Sequence, residues 1–289
     1  MGECTVFVST GGFQTSPATA IETLIAAGID HIELSGGLPS FDALHSVGKY
    51  RQQATMQPHN YFPAVSPPFV FNLASSDDGI RGRTLQCMRN AVDLAKDLGA
   101  TRYSVHAGFL LDPPVRFLGE PWQSLPQVTL DQGVTTFVDS IAVLANYSAS
   151  RGIELLVENN VLTTGTLDAC GPDVLLMASG EQIMEVMDLL PDDVGLLMDV
   201  AHLNVTARTL GLDARDVLDA SAARTRGYHL SDNDGTADTN QALSQTSWFW
   251  PHLASNVPFA TLELIPMAGD ELVEQVNLTT RMWKAGVTG

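Results

Sequence analysis

The sequence predicts an α/β fold, a single (β/α)8 barrel over residues 1–289. Its 289 residues with 45% hydrophobic content match one barrel of ordinary size without remainder. Short apolar runs alternate with longer amphipathic stretches from end to end, the pattern of strand, helix, strand units that lay parallel strands side by side. About eight of the short runs read as strands.

In chain order the strands are TVFVS from Thr5, HIEL from His31, a weaker one over Met56 to Tyr61, YSVH ending at His106, ELLVEN, VGLLMDV, GYHLSD and FATLELI. Ser16 and Pro17 open a first helix that Gly28 closes, because a hydroxyl caps exposed N–H groups, Pro suits the first turn and Gly suits the stop. Asp77 to Leu98 follows, with Leu85, Met88, Val92, Ala95 and Leu98 at helical spacing and Gly99 beyond. Further helices read as Leu130 to Ser150, Glu181 to Leu190 behind Ser179, Ala214 to Ala223, and Asp270 to Lys284. Two long connections, Leu110 to Gln127 and Asn233 to Pro251, follow the fourth and seventh strands. In a parallel barrel such loops rim the mouth where sites form, so their length points to substrate enclosure.

The formal charge of -18, from 33 acidic against 15 basic side chains, repels polyanions. Arg81, Arg83 and Arg89 make the densest basic group and read as the solvated face of one helix, so no nucleic-acid partner is expected. Cys4, Cys87 and Cys170 lack CxxC spacing, which fits a reducing cytoplasm. Neither an export signal nor an apolar run of about 18 residues occurs, and no membrane partner is expected.

Polar residues interrupt the strands late: Glu158 in ELLVENN, Asp199 in VGLLMDVAH, His229 in GYHLSDND and Glu263 in FATLELI. Leu156 and Glu158 share one face of their strand, as do Leu197 and Asp199, and Phe259, Thr261 and Glu263, so if that face looks inward, four strands present polar groups at one mouth. Three carboxylates buried together repel one another and lose solvation, and a divalent cation compensates both. Three carboxylates and one imidazole suit Mn, Mg or Co and also admit Zn. His202, three residues after Asp199, has left that strand face and leans from a loop over the pocket. His59, His106 and Glu33 sit at other strand ends and read as ligands, substrate contacts or groups behind the ligands.

The series HNYFP, HAG, VEN, MDVAH, HLSDND and LEL, spanning roughly residues 57 to 265, resembles the xylose-isomerase-like TIM barrel superfamily of sugar-phosphate isomerases and epimerases, ketose 3-epimerases, inosose dehydratases and endonuclease IV. The resemblance implies that Glu158, Asp199, His229 and Glu263 hold the metal. It also matches His202 to a residue that binds substrate in the epimerases and a further zinc in the endonuclease. Two departures stand out. Asp238-Thr239-Asn240 carries Asn where the endonuclease has the His of a DxH pair, and TSWFW replaces the Gly-rich segment common after the seventh strand of the sugar enzymes.

The expected activity is a metal-dependent isomerisation or epimerisation of a small sugar or polyol. Glu158 and Glu263 transfer protons next to a carbonyl while His106, His202, Glu33, His59, Arg208, Trp122 and Trp250 contact substrate. Each tryptophan has a competing place in the core, and Arg116 and Arg208 are the arginines in the predicted rim loops. Dehydration of a keto-sugar or inosose, cleavage of abasic DNA and noncatalytic sugar binding are the alternatives. A homo-oligomer is compatible with all of them.

Overall fold

The computed structural model describes residues 4–36, 47–60, 62–117 and 125–286. Its strands are β1 (Thr5–Ser9), β2 (His31–Leu34), β3 (Thr55–Pro58), β4 (Arg102–His106), β5 (Glu154–Glu158), β6 (Gly195–Asp199), β7 (Thr225–Leu230) and β8 (Phe259–Leu262). All pairings are parallel, in the order β3-β2-β1-β8-β7-β6-β5-β4. The remaining seam, between β3 and β4, is closed by a parallel bridge between His59 and Ser104 and by the Asn60 amide donating to the Ser104 carbonyl at 2.8 Å. The eight strands thus form a nearly closed barrel in a single domain.

Strand parity explains what fills it. Outward residues such as Val8, Ile32, Tyr103, Val157, Met198 and Leu262 join the main apolar core under the helices. Inward residues Phe7, Leu156, Leu197 and Phe259 form a separate plug inside the barrel. Gly227 makes room for it, since a Cβ there would lie 2.2 Å from the Phe259 ring. One step further along the same inward parity come Ser9, Glu33, His59, His106, Glu158, Asp199 and His229, with Glu263 just beyond β8. The polar layer therefore lies at the C-terminal mouth, above a dry floor.

Helix ends follow the predicted signals. Helix α1 (Pro17–Ala26) is capped by Ser16, whose side chain accepts from the Thr19 amide, and α2 (Asp78–Leu98) ends at Gly99 with φ 76°. A reciprocal capping box of Thr129 and Gln132 starts α3 (Leu130–Ala149). Two helices escaped the sequence reading, α4 (Thr164–Cys170) and, after α5 (Gly180–Leu189), α6 (Val200–Leu210). His202 therefore sits in the first turn of α6 and not in a loop. The cap of α6 is Asp199, which is also the last residue of β6, so strand and helix meet without an intervening turn and the Asp199 and Gly211 cap signals were overlooked. Helices α7 (Ala214–Ser221) and α8 (Gly269–Gly286) complete the described set. Among the described residues no helix is long and apolar enough to cross a membrane.

Candidate metal centre

Strands β5 to β8 bring Glu158, Asp199, His229 and Glu263 together, with one ligand atom of each within 4.8 Å of the others. His229 Nδ1 faces Glu158 Oε1 at 3.2 Å, Glu263 Oε2 at 3.5 Å and Asp199 Oδ2 at 3.9 Å. Behind it, His229 Nε2 lies 3.0 Å from Glu33 Oε1. That contact is close but not aligned as a hydrogen bond, and neither atom has another partner. The other Glu33 oxygen, Oε2, accepts from Gln57 Nε2 and Thr261 Oγ1, each at 2.9 Å. A carboxylate behind a histidine fixes which ring nitrogen faces a metal, here Nδ1. Glu33 is fully buried beneath His229 and does not reach the substrate cavity, which corrects its expected place among the substrate contacts.

The second oxygen of Glu158 belongs to a different group. His59 Nε2 and His106 Nε2 lie 3.2 Å apart, and each is 3.3 Å from Glu158 Oε2. A tetrahedral ion with bonds of about 2.0 Å spaces its ligands about 3.3 Å apart, so this triangle has the edges of a metal site. Glu158 Oε2 is buried without a hydrogen-bond partner, as an atom reserved for a cation would be. His59 and His106, expected as substrate contacts, thus converge on Glu158 as ligand candidates, an adjacency between strands β3, β4 and β5 that sequence spacing does not reveal.

The shared carboxylate governs the electrostatics. Burial works to raise Glu158, yet the charges of His106, His229 and His59 outweigh it and hold the acid well below the usual carboxylate range. Burial pushes Asp199 up to about 7, with His202 opposing and Glu158 and Asp238 adding to the rise. Burial likewise takes Glu263 up to about 7 and His106 down to about 4. Against burial, Glu33, Glu158 and Glu263 hold the His229 imidazolium well above its ordinary value. Protonated Asp199, Glu263 and His229 must give up protons to ligate a cation. The sign follows: as pH falls through about 7 these protons compete with the ion, so metal affinity is expected to drop between about pH 8 and pH 6 and binding to release at least about one proton at the lower pH. Calorimetry in buffers of different ionisation heat measures both; equal affinity across that range with no proton release would contradict the assignment.

His202 Nδ1 donates to the Asn159 carbonyl at 2.8 Å, and Nε2 lies 3.4 Å from Asp238 Oδ2. Sequence reading set Asp238 aside as part of a broken DxH pair; the connection after β7 returns it to the site. A cavity of about 450 Å³ opens above the cluster, lined by Ser9, His59, His106, His202, Asp238 and Glu263 among others. Other expected contacts lie elsewhere. Arg208 Nη1 donates to the Asp234 carbonyl at 2.7 Å, and the side chain lines a separate surface groove with Trp248 and His252. Trp250 is buried against Phe249, its indole N–H donating to the Ser244 carbonyl at 2.8 Å, so it belongs to the core. Trp122 lies outside the described residues.

Comparison with known proteins follows the same lines. A family model described as Xylose isomerase-like TIM barrel matches residues 21–259. The curated protein MJ1311 of Methanocaldococcus jannaschii is 24% identical over 185 residues, 63% of this chain, and the match spans 55% of that relative's length. A D-tagatose 3-epimerase-like protein shares the fold with a TM-score of 0.73 at 14% identity, covering 98% of both chains. The TTHB071 protein of Thermus thermophilus, soaked with zinc chloride, gives 0.62 at 19% identity over 96% of this chain and 98% of its own. An IOLI protein with a bound zinc atom gives 0.66 at 13% identity over 99% of this chain and 100% of its own.

Proposed function

The chain belongs to the xylose isomerase-like TIM barrel family, and from that premise we propose that it is a metal-dependent isomerase or epimerase of a small sugar or polyol. The observation that carries the reading is the Glu158, Asp199, His229 and Glu263 quartet beneath a polar cavity. Its oxygen-rich donor set suits Mn, Mg or Co, the imidazoles admit Zn, and zinc in two structural relatives is consistent with either compartment of the site. A divalent ion bound there would polarise a substrate carbonyl and neighbouring hydroxyl, making the adjacent C–H more acidic.

The residues divide the remaining work. Glu263 reaches the cavity, is steadied by Ser9 Oγ donating to Oε1 at 3.3 Å, and with its acid near 7 is suited to take a proton from carbon and give it back. Glu158 is fully buried behind His59 and His106, so it serves as a shared ligand and not as the second proton-transfer acid expected from the sequence. Return of the proton by Glu263 to the neighbouring carbon exchanges aldose and ketose. Delivery of a proton to the opposite face of the same carbon epimerises. His202, expected from the sequence as a substrate contact, has Nδ1 on the Asn159 carbonyl and Nε2 beside Asp238, and holds that carboxylate at the cavity wall.

Incubating the metal-loaded protein with ketohexoses in deuterated water tests this: deuterium is expected at carbon, and Glu263→Gln is expected to slow its incorporation by about 100-fold or more. Undiminished exchange in the variant removes Glu263 from the proton transfer. The His59, His106 and Glu158 triangle favours a second reading, a two-metal hydrolase of phosphodiesters. Two bound ions per chain together with cleavage of an abasic duplex and no exchange into sugars would establish that reading instead.

A further inference from the structure

We propose that the cavity selects an uncharged polyhydroxy substrate over its phosphorylated counterpart, with Asp238 as the residue that makes the distinction. The proposal rests on the isomerase reading and names its substrate class.

A phosphate normally needs fixed cations or free N–H groups at a helix N-terminus. All 15 Lys and Arg side chains of the chain fall within the described residues, and none lines this cavity. Arg208, the rim arginine expected to serve, is held by the Asp234 carbonyl in another groove. The helix that starts beside the cavity, α6, is also engaged: the Asp199 carboxylate accepts from the His202 amide at 2.8 Å. Of the imidazoles lining the cavity, His202 has both nitrogens committed, to Asn159 and to Asp238. His59 and His106 turn their Nε2 atoms to Glu158. The ion's own charge is more than matched by the carboxylates of Glu158, Asp199 and Glu263.

What the cavity offers instead is an acceptor. Asp238 lines the cavity with its side chain 24% exposed, and its Oδ2 lies 3.4 Å from His202 Nε2. A carboxylate at a cavity wall accepts from a substrate hydroxyl, which has a proton to donate. A phosphate dianion has no proton to give and adds like-charge repulsion at short range. The same carboxylate therefore rewards one substrate class and penalises the other, the combination that produces strong discrimination.

The test compares unphosphorylated ketohexoses with their terminal phosphate esters, by calorimetric binding to the metal-loaded protein and by deuterium incorporation. The free sugars are expected to bind and exchange at least about 10-fold better than the esters. Asp238→Asn, nearly the same shape, is expected to raise KM for the free sugars about 10-fold with a smaller change in kcat, and to shrink the handicap of the esters by a similar factor. A structural role would instead lower kcat for both classes alike and reduce metal content. Tighter binding of the esters by the wild-type protein, or an unchanged ratio in Asp238→Asn, overturns the proposal. Preferred binding of free sugars without any exchange supports it and sinks the isomerase reading alone.

Discussion

Replacing Glu158 by alanine is expected to remove metal binding altogether and to cost the protein stability as well. Its two oxygens serve different neighbours, Oε1 facing His229 at 3.2 Å and His202 Nδ1 at 3.6 Å, Oε2 facing His59 and His106 at 3.3 Å each. Among the described residues no other side chain touches both groups of candidate ligands so directly, because β5 lies between β4 on one side and β6 and β7 on the other. Without it the His59 and His106 pair loses its carboxylate and the quartet loses a charge. Losing an outer partner of a ligand costs about 10–100-fold in affinity, and loss of the ligand itself should exceed the upper figure. Removing one partner from a buried charged network also costs about 3–5 kcal/mol, because the others are left uncompensated. Metal analysis of purified protein and denaturant melts measure the two effects separately. An alanine variant that keeps its full metal content would rule out the shared-ligand assignment.

Glu33→Gln is expected to weaken metal binding about 10–100-fold with little change in the cavity. Glu33 is fully buried and meets His229 from behind at 3.0 Å while Gln57 and Thr261 donate to its other oxygen. Gln57 is in turn approached by Arg102, whose Nη1 donates to Oε1 at 3.3 Å, so a polar chain runs from near the barrel floor up to the metal-facing histidine. An amide at position 33 keeps the volume and removes the negative charge that holds the proton on His229 Nε2. The expected signature is weaker binding of zinc and manganese by competition titration, with substrate KM at saturating metal nearly unchanged. Equal metal affinity in Glu33→Gln and the wild-type protein would make Glu33 a purely structural residue.

Local chemistry written into the chain was legible in proportion to how local it was. Ser16, Ser179 and Gly99 act within one turn of their helices, and each caps the helix that the sequence reading assigned to it. Strand parity carried further: it separated the floor residues Leu156, Leu197 and Phe259 from the outward core and aligned Glu158, Asp199 and His229 on one inner face. Residues outside the strands were the ones misjudged. Arg208 sits in the last turn of a helix that the sequence reading missed, and its position on that helix turns it towards the groove beside Trp248. Trp250 looked like a sugar platform but packs against Phe249. Asp238 attracted no role because its partner, His202, stands 36 positions earlier, and no periodicity links a loop to a helix.

The sequence by itself determined the alternating elements, which residues share a strand face and the four polar strand ends expected to favour a cation, because these depend on the two-residue strand repeat and on the electrostatics of clustered carboxylates. Only the tertiary structure decided that Glu158 divides its oxygens between two groups of candidate ligands, that Glu33 lies behind His229, and that Asp238 and no arginine lines the cavity. Those relations depend on barrel closure between β3 and β4 and on where the loops return, and distances across a closed ring are set by packing among strands far apart in the chain.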